Sequence, residues 1–332
     1  MRHCLLLIVS LLLLTGCVRD KEYADSPQGN FEALWRIIDE HYCFLDYKHI
    51  DWDGVKAKFQ PFITDDLSND HLFQILGNML AELKDGHVNL YAYHNTARYW
   101  NWYEDYPRNY SEELIEKYLG HDYRISGGLR YRILDDDIGY ISYTSFSSAV
   151  GNNSLSEMLR YLDICNGIIL DVRGNGGGEL TNAQRLAGRF TNEKVLVGYM
   201  CHKTGKGHSD FSEPEAIYIE PSDGVRWQKP VVVLTNRHSY SATNDFVNSM
   251  RYMPHVTIMG DQTGGGSGMP FNSELPNGWG VRFSACPTFD AQMQQIEFGI
   301  EPDIKVDLSP ADQAQGIDTI IETARAFLNK KQ

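Results

Sequence analysis

Gly167-Ile168-Ile169-Leu170-Asp171-Val172-Arg173-Gly174-Asn175-Gly176-Gly177-Gly178-Glu179 is a continuous apolar run that opens into a glycine-rich turn. An apolar run of this length without alternation reads as a strand buried on both faces, as in a parallel sheet covered by helices. Residues 230–235 repeat the pattern, and residues 138–144 supply a third short strand. Amphipathic helices are expected at 153–163, 179–190 and 242–253, which makes this part of the chain an α/β layered domain. The glycines after Asp171 let backbone N–H groups converge on an anion at a helix N-terminus, either a phosphate or an oxyanion. The turn has neither the Lys-Ser/Thr of a P-loop nor the Gly-x-Gly-x-x-Gly order of a dinucleotide site.

A second strand-to-helix edge follows Thr235, reading Asn236-Arg237-His238-Ser239-Tyr240-Ser241-Ala242-Thr243-Asn244. A serine at the start of a helix after a buried strand suits a nucleophile, although Ser239 or Ser241 could equally serve as an N-cap. Two such edges in one sheet share a crevice at the carboxyl ends of neighbouring strands. With Gly260-Asp261-Gln262-Thr263-Gly264-Gly265-Gly266 and Gly299-Ile300-Glu301-Pro302-Asp303-Ile304, these motifs resemble the S41 family of serine peptidases. That family includes the carboxy-terminal processing proteases and the tricorn core protease. The resemblance spans about 140–325, and Leu83-Lys84-Asp85-Gly86-His87 extends it upstream. It implies a ClpP/crotonase-like α/β core, Ser241 as nucleophile, and the Gly176 and Ala242 N–H groups as oxyanion donors.

The expected base departs from the processing-protease pattern. Those enzymes place a lysine in a glycine-rich stretch after the nucleophile, and no lysine occurs here between Ser241 and Lys305. The tricorn-like branch implies His87 as base, with Glu297 holding it and Glu301 as a rival. His238 is nearer in sequence but, three residues before Ser241, is expected to line the turn. A neutral imidazole near its ordinary pKa of about 6.5 can take the serine proton, so activity is expected to rise with pH through about 6 to 7.

Upstream, the apolar run at 5–14 follows a single arginine and is too short to span a bilayer, so residues 1–16 read as an export signal. Leu14-Thr15-Gly16-Cys17 resembles a lipoprotein cleavage site with Cys17 as the lipid-bearing residue, and 17–29 as a tether. Residues 30–90 form a helical unit, with Phe31, Leu34, Trp35 and Ile38 on one face and Ser68 before a third helix. Residues 91–130 are an aromatic-rich connector with weak periodicity. They leave no room for an inserted PDZ domain, and Trp100, Trp102, Tyr103 and Tyr106 could cover the cleft instead. Residues 131–332 form the catalytic core, with Pro276-Asn277-Gly278 as a hairpin turn and Ser309-Pro310 capping one last helix to about 328.

The full chain has 332 residues and a formal charge of −14, which would repel nucleic acid. Cys43, Cys165, Cys201 and Cys286 are too sparse for a disulfide scaffold and are expected as buried thiols. No metal or cofactor is implied. The reading is an exported, lipid-anchored serine peptidase of the bacterial cell envelope acting on peptide or polypeptide, with a Ser241, His87, Glu297 triad. The rival from the same fold is a non-catalytic protein binding a peptide or apolar ligand in the cleft.

Overall fold

The computed structural model describes residues 22–330. The apolar leader and Cys17 lie outside the described residues. In chain order the helices are α1 (Pro27–His41), α2 (Trp52–Phe59), α3 (Asn69–Ala81), α4 (Asn101–Glu104), α5 (Glu112–Leu119), α6 (Asn152–Leu162), α7 (Leu180–Ala187), α8 (Ala242–Met250), α9 (Pro310–Ala314) and α10 (Thr319–Lys330). The strands are β1 (Asn89–Ala92), β2 (Asn95–Arg98), β3 (Arg124–Ser126), β4 (Leu129–Ile133), β5 (Ile138–Tyr143), β6 (Gly167–Asp171), β7 (Val195–Met200), β8 (Glu215–Ile219), β9 (Val231–Thr235), β10 (Val256–Gly260), β11 (Gly268–Glu274), β12 (Gly280–Asp290) and β13 (Ile304–Lys305).

A seven-stranded sheet runs β13-β10-β9-β6-β5-β4-β3, parallel from β13 to β5 and antiparallel from β5 to β3. Every residue of β6 and β9 is buried, as an unbroken apolar run requires. Side chains alternate between two cores. Ile168, Leu170, Val231 and Val233 meet α6, α7 and α8, whereas Ile169, Val232 and Leu234 meet α5 and α10. The chain is therefore α/β, as the sequence implies.

The second sheet, β2-β1-β12-β7-β8 with β11 on β12, has no counterpart in the parallel sheet. Leu90, Val281, Phe283 and Ala285 on its inner face bury Phe31, Leu34, Ile38, Leu76 and Leu80 of the N-terminal helices. Long-range antiparallel pairing between residues 89–91 and 280–282 joins it, a pairing that local periodicity does not show.

Local details differ from the sequence reading at three places. The first helix reaches back to Pro27, into the segment read as a tether, because Ser26 accepts a hydrogen bond from Gly29 N and caps it. Residues 91–130, expected as an aromatic-rich connector with weak periodicity, contain the end of β1, then β2, α4, α5, β3 and the start of β4. The expected single C-terminal helix is two, α9 and α10, since Gly316 sits at φ 71° between them and buried Asp318 bonds the Ile320 and Ile321 N–H groups. The hairpin is as expected, with β11 and β12 antiparallel across residues 275–279. Cys43, Cys165, Cys201 and Cys286 are free and buried.

Candidate active site

Parallel pairing of β6 and β9, with Asp171 opposite Leu234, brings residues 172–179 and 236–241 to the same sheet edge. Ser239 ties the two turns together by donating to the Val172 carbonyl at 2.9 Å and accepting from Asn236 N at 3.2 Å. Ser239 is thus structural and fully buried. Ser241 precedes α8 but does not cap it; its backbone sits at φ 59° and ψ −126°. For a residue with a Cβ this conformation costs roughly 1–3 kcal/mol and persists only where the surroundings impose it. Here Ser241 N donates to Gly265 O at 2.8 Å and Tyr240 N to Asn175 O at 3.1 Å. Gly177, at φ 100°, lies so close that a Cβ there would stand 2.8 Å from Ser241 Cβ and 3.0 Å from Ala242 N. The strained turn lifts Oγ clear of its own helix, as in a nucleophile elbow.

The hydroxyl instead meets His87, whose Nε2 lies 2.9 Å from Ser241 Oγ. The two groups are 154 positions apart in the chain. His87 follows the turn at Asp85 and Gly86, where its own N–H donates to Asp85 Oδ1 at 2.8 Å. Its ring packs on Tyr240, which in turn stacks on Trp102 with centroids 3.9 Å apart. Burial pushes the His87 pKa down to about 4, helped by Arg282 and Lys48 and opposed by Asp85 and the Gly268 backbone. The imidazole is therefore neutral, and able to accept a proton, well below the pH 6 to 7 expected from an unperturbed histidine.

Glu297 makes no hydrogen bond to His87. Its Oε2 accepts from Ser267 N at 2.9 Å, and its Oε1 pairs with Lys48 Nζ at 2.7 Å. Lys48 Nζ also stands 3.5 Å from Asp85 Oδ2. Asp85 Oδ2 accepts in addition from Tyr42 and Ser284 hydroxyls, each at 2.9 Å. The carboxylate thus reaches His87 through Lys48 and Asp85, while His87 Nδ1 is buried without a hydrogen bond. Burial, followed by the Asp85 charge, raises Glu297 to about 7 against the pull of Lys48. Asp85 is held below the usual carboxylate range because Lys48, His87 and its hydrogen-bond donors outweigh its burial.

Glu301, the rival carboxylate, is exposed and makes no hydrogen bond to His87. His238 lines the same cleft but packs on Tyr103, with centroids 4.8 Å apart. The Ala242 N–H opens α8 and is among those a helix leaves without an intrahelical acceptor. Gly176 lines the cavity beside Ser241. This cavity is about 520 Å³, with Trp100 and Trp102 of the aromatic stretch on its wall. Among the described residues, no group of three or more His, Cys, Asp or Glu side chains is placed to hold a metal ion.

The model of peptidase family S41 matches residues 137–306, just over half of the chain. The chain belongs to peptidase family S41. The tricorn protease C1 domain model matches residues 23–81. A crystal structure from Parabacteroides merdae, provisionally described as a peptidase, is 55% identical with a TM-score of 0.89, covering 92% of this chain and 97% of that one. The carboxy-terminal processing protease CtpA of Bacillus subtilis is 27% identical over 177 residues, 52% of this chain and 36% of the relative. The carboxy-terminal-processing protease of Bartonella bacilliformis is 24% identical over 199 residues, 58% of this chain and 44% of the relative. The chain spans less than half the length of these two curated relatives. Ser241, Ala242, Gly176 and Glu297 fall inside the S41 match, whereas Lys48 falls in the tricorn C1 match and His87 in neither.

Sequence reasoning missed Lys48, Asp85 and Arg282 as parts of the site. Asp85 could have been found, since it stands two residues before His87 in a motif already singled out. Lys48 carries no local signal, for nothing near it in sequence shows that its ammonium will be buried.

Proposed function

We propose that the protein is a serine peptidase that hydrolyses peptide bonds through an acyl-enzyme on Ser241. The supporting observation is the 2.9 Å contact between His87 Nε2 and a serine hydroxyl held on a strained turn at the head of a helix. In this reading Ser241 Oγ attacks the scissile carbonyl as its proton passes to His87 Nε2. The developing oxyanion is met by the N–H groups of Ala242 and Gly176. His87 then gives its proton to the departing amine, and water, activated by the same imidazole, cleaves the ester. Glu297 acts at one remove, through Lys48 and Asp85, to hold the turn that carries His87.

Replacing Ser241 by Ala should lower peptide hydrolysis by several powers of ten (on the order of 10⁴ or more) while circular dichroism and melting stay near wild type. A fluorophosphonate should label the wild type at Ser241 alone. A wild type that is neither labelled nor active on unfolded polypeptide would overturn the peptidase reading and favour a binding role.

The same reading places the protein at the cell envelope, lipid-anchored through Cys17. It rests on the residue 5–17 pattern, and among the described residues no helix is long and apolar enough to cross a membrane. Cys17→Ser should release the protein from the membrane fraction; unchanged fractionation would reject the anchor.

A further inference from the structure

The cleft wall beside His87 carries a row of side chains that the hydrolytic chemistry does not use. In the antiparallel ladder, Asn89 of β1 stands opposite Arg98 of β2 on one side and opposite Arg282 of β12 on the other. Directly opposed residues project from the same face, with about 5 Å between neighbouring strands. The adjacent pair, Leu90 and Val281, points the other way and is fully buried in the core. Arg98, Asn89 and Arg282 therefore share the cleft face, and all three line the cavity that holds Ser241.

Their charges are uncompensated. Among the described residues neither arginine has a carboxylate partner, in a chain whose acidic residues outnumber basic ones by 44 to 30. Arg98 rests against the rings of Tyr91 and Trp100, at 5.9 and 5.5 Å, which orients it without neutralising it. Glu179 is the one acidic residue lining the cavity, and it lies after the glycine turn rather than on this sheet. Between the arginines, Asn89 is 4% exposed. Its amide donates to the His87 carbonyl at 2.9 Å, but its Oδ1 is buried with no hydrogen bond. A buried acceptor left open in this way is destabilising, and a bound N–H would satisfy it.

We propose that Arg98, Asn89 and Arg282 form a substrate subsite that takes a carboxylate of the peptide between the two guanidinium groups while Asn89 Oδ1 accepts a peptide N–H. This deepens the peptidase reading and rests on it for the nature of the ligand. A guanidinium offers a planar fork matched to a carboxylate, and the pair flanking a neutral acceptor suits an acidic residue or chain end in extended form. The subsite adjoins the reacting atoms, so a carboxylate held there would fix the peptide relative to Ser241.

The test measures binding, so that it does not depend on turnover. Fluorescence anisotropy on full-length Ser241→Ala protein would compare labelled peptides that differ only by Glu or Gln at one position, each with a free or amidated C-terminus. One carboxylate should raise affinity by about tenfold or more, as a charge-assisted bidentate contact does. A preference that follows Glu identifies a side chain, and one that follows the free terminus identifies the chain end. Arg98→Gln with Arg282→Gln should bring the ratio to within about twofold, and Arg282→Lys should retain part of it. Equal affinity across all pairs, absent binding, or a preference that survives the double variant overturns the subsite. A wild type that cleaves nothing while Ser241→Ala still prefers the carboxylate would instead reject the peptidase reading alone.

Discussion

Two buried ion clusters flank the candidate site, each with one cation between two carboxylates, and they are built differently. On the oxyanion side Arg173 is fully buried, with its fork on Asp171 at 2.7 and 3.0 Å and on Asp318 at 3.1 Å. Tyr140 adds a hydrogen bond to Asp171 at 2.9 Å, and Arg173 also donates to the Asn109 carbonyl. On the imidazole side Lys48 brings a point charge to Glu297 at 2.7 Å and to Asp85 only at 3.5 Å, among the rings of Phe44, Tyr42 and Phe298. The forked cation donates to both carboxylates at once, which ties down the glycine turn, while Asp318 Oδ2 keeps no hydrogen bond of its own. The ammonium is a single point charge, and burial outweighs its pull on Glu297, so that carboxyl is raised to about 7 and can take up a proton near neutrality. One cluster is a rigid brace; the other is a support whose charge state can change.

The comparison is broken most directly at the brace. Arg173→Met leaves Asp171 and Asp318 buried and unpaired, which should cost about 3–5 kcal/mol. The melting temperature should fall by roughly 10 °C or more, judged by circular dichroism. A near-native melt would mean that the cluster is not a brace.

Lys48→Met should do less to stability, because Glu297 can accept a proton in place of the lost cation. Its effect should fall on catalysis, at about a hundredfold loss in kcat/KM through displacement of the His87 turn. The acid limb of the rate profile should also move to higher pH, since Lys48 lowers the His87 pKa and Asp85 raises it. An unchanged rate and limb would leave Lys48 a packing residue.

The wild-type profile itself sharpens the point. With His87 at about 4, the rate should rise around pH 4 to 5 and be level through 6 to 7. A limb centred near 6.5 would show that the imidazole is less desolvated than its setting implies.

The smallest effect is on the pH dependence of stability. His87 binds fewer protons folded than unfolded between its value of about 4 and the ordinary 6.5, so its share of stability is full above 6.5 and is lost as pH falls toward 4. Glu297 binds more protons folded than unfolded between 4.5 and about 7, so its share is present below 4.5 and lost as pH rises through 7. The two slopes oppose each other. Urea unfolding of Glu297→Gln should therefore show a steeper rise in stability from pH 4.5 to 6.5 than wild type does. Parallel curves would place the raised pKa elsewhere.

Asp171 and Arg173 lie in the stretch that decides the fold, but only its strand and glycine turn were legible there; their cluster with Asp318, 145 positions away, was not. Local pattern was enough for the strand end and helix start around Ser241 and for the Pro276-Asn277-Gly278 hairpin, whereas the choice of Ser241 over Ser239 came from the family resemblance. Glu297 was legible as a carboxylate of the right segment but not as a partner of Lys48. Arg98, Asn89 and Arg282 fall in one row only through strand register, which a composition rich in turns did not disclose.

By itself the sequence determined the α/β sheet, because hydrophobic runs and glycine turns act over a few residues and leave few alternatives. It also determined the two turns at the sheet edge, since parallel strands put their carboxyl ends together. The tertiary structure alone decided what stands behind the imidazole. Lys48, Asp85 and Glu297 come from a helical unit, a turn and a late loop, and their charges are shifted only once burial removes water from around all three. Desolvation depends on the whole packed surface, and no short stretch of residues encodes it.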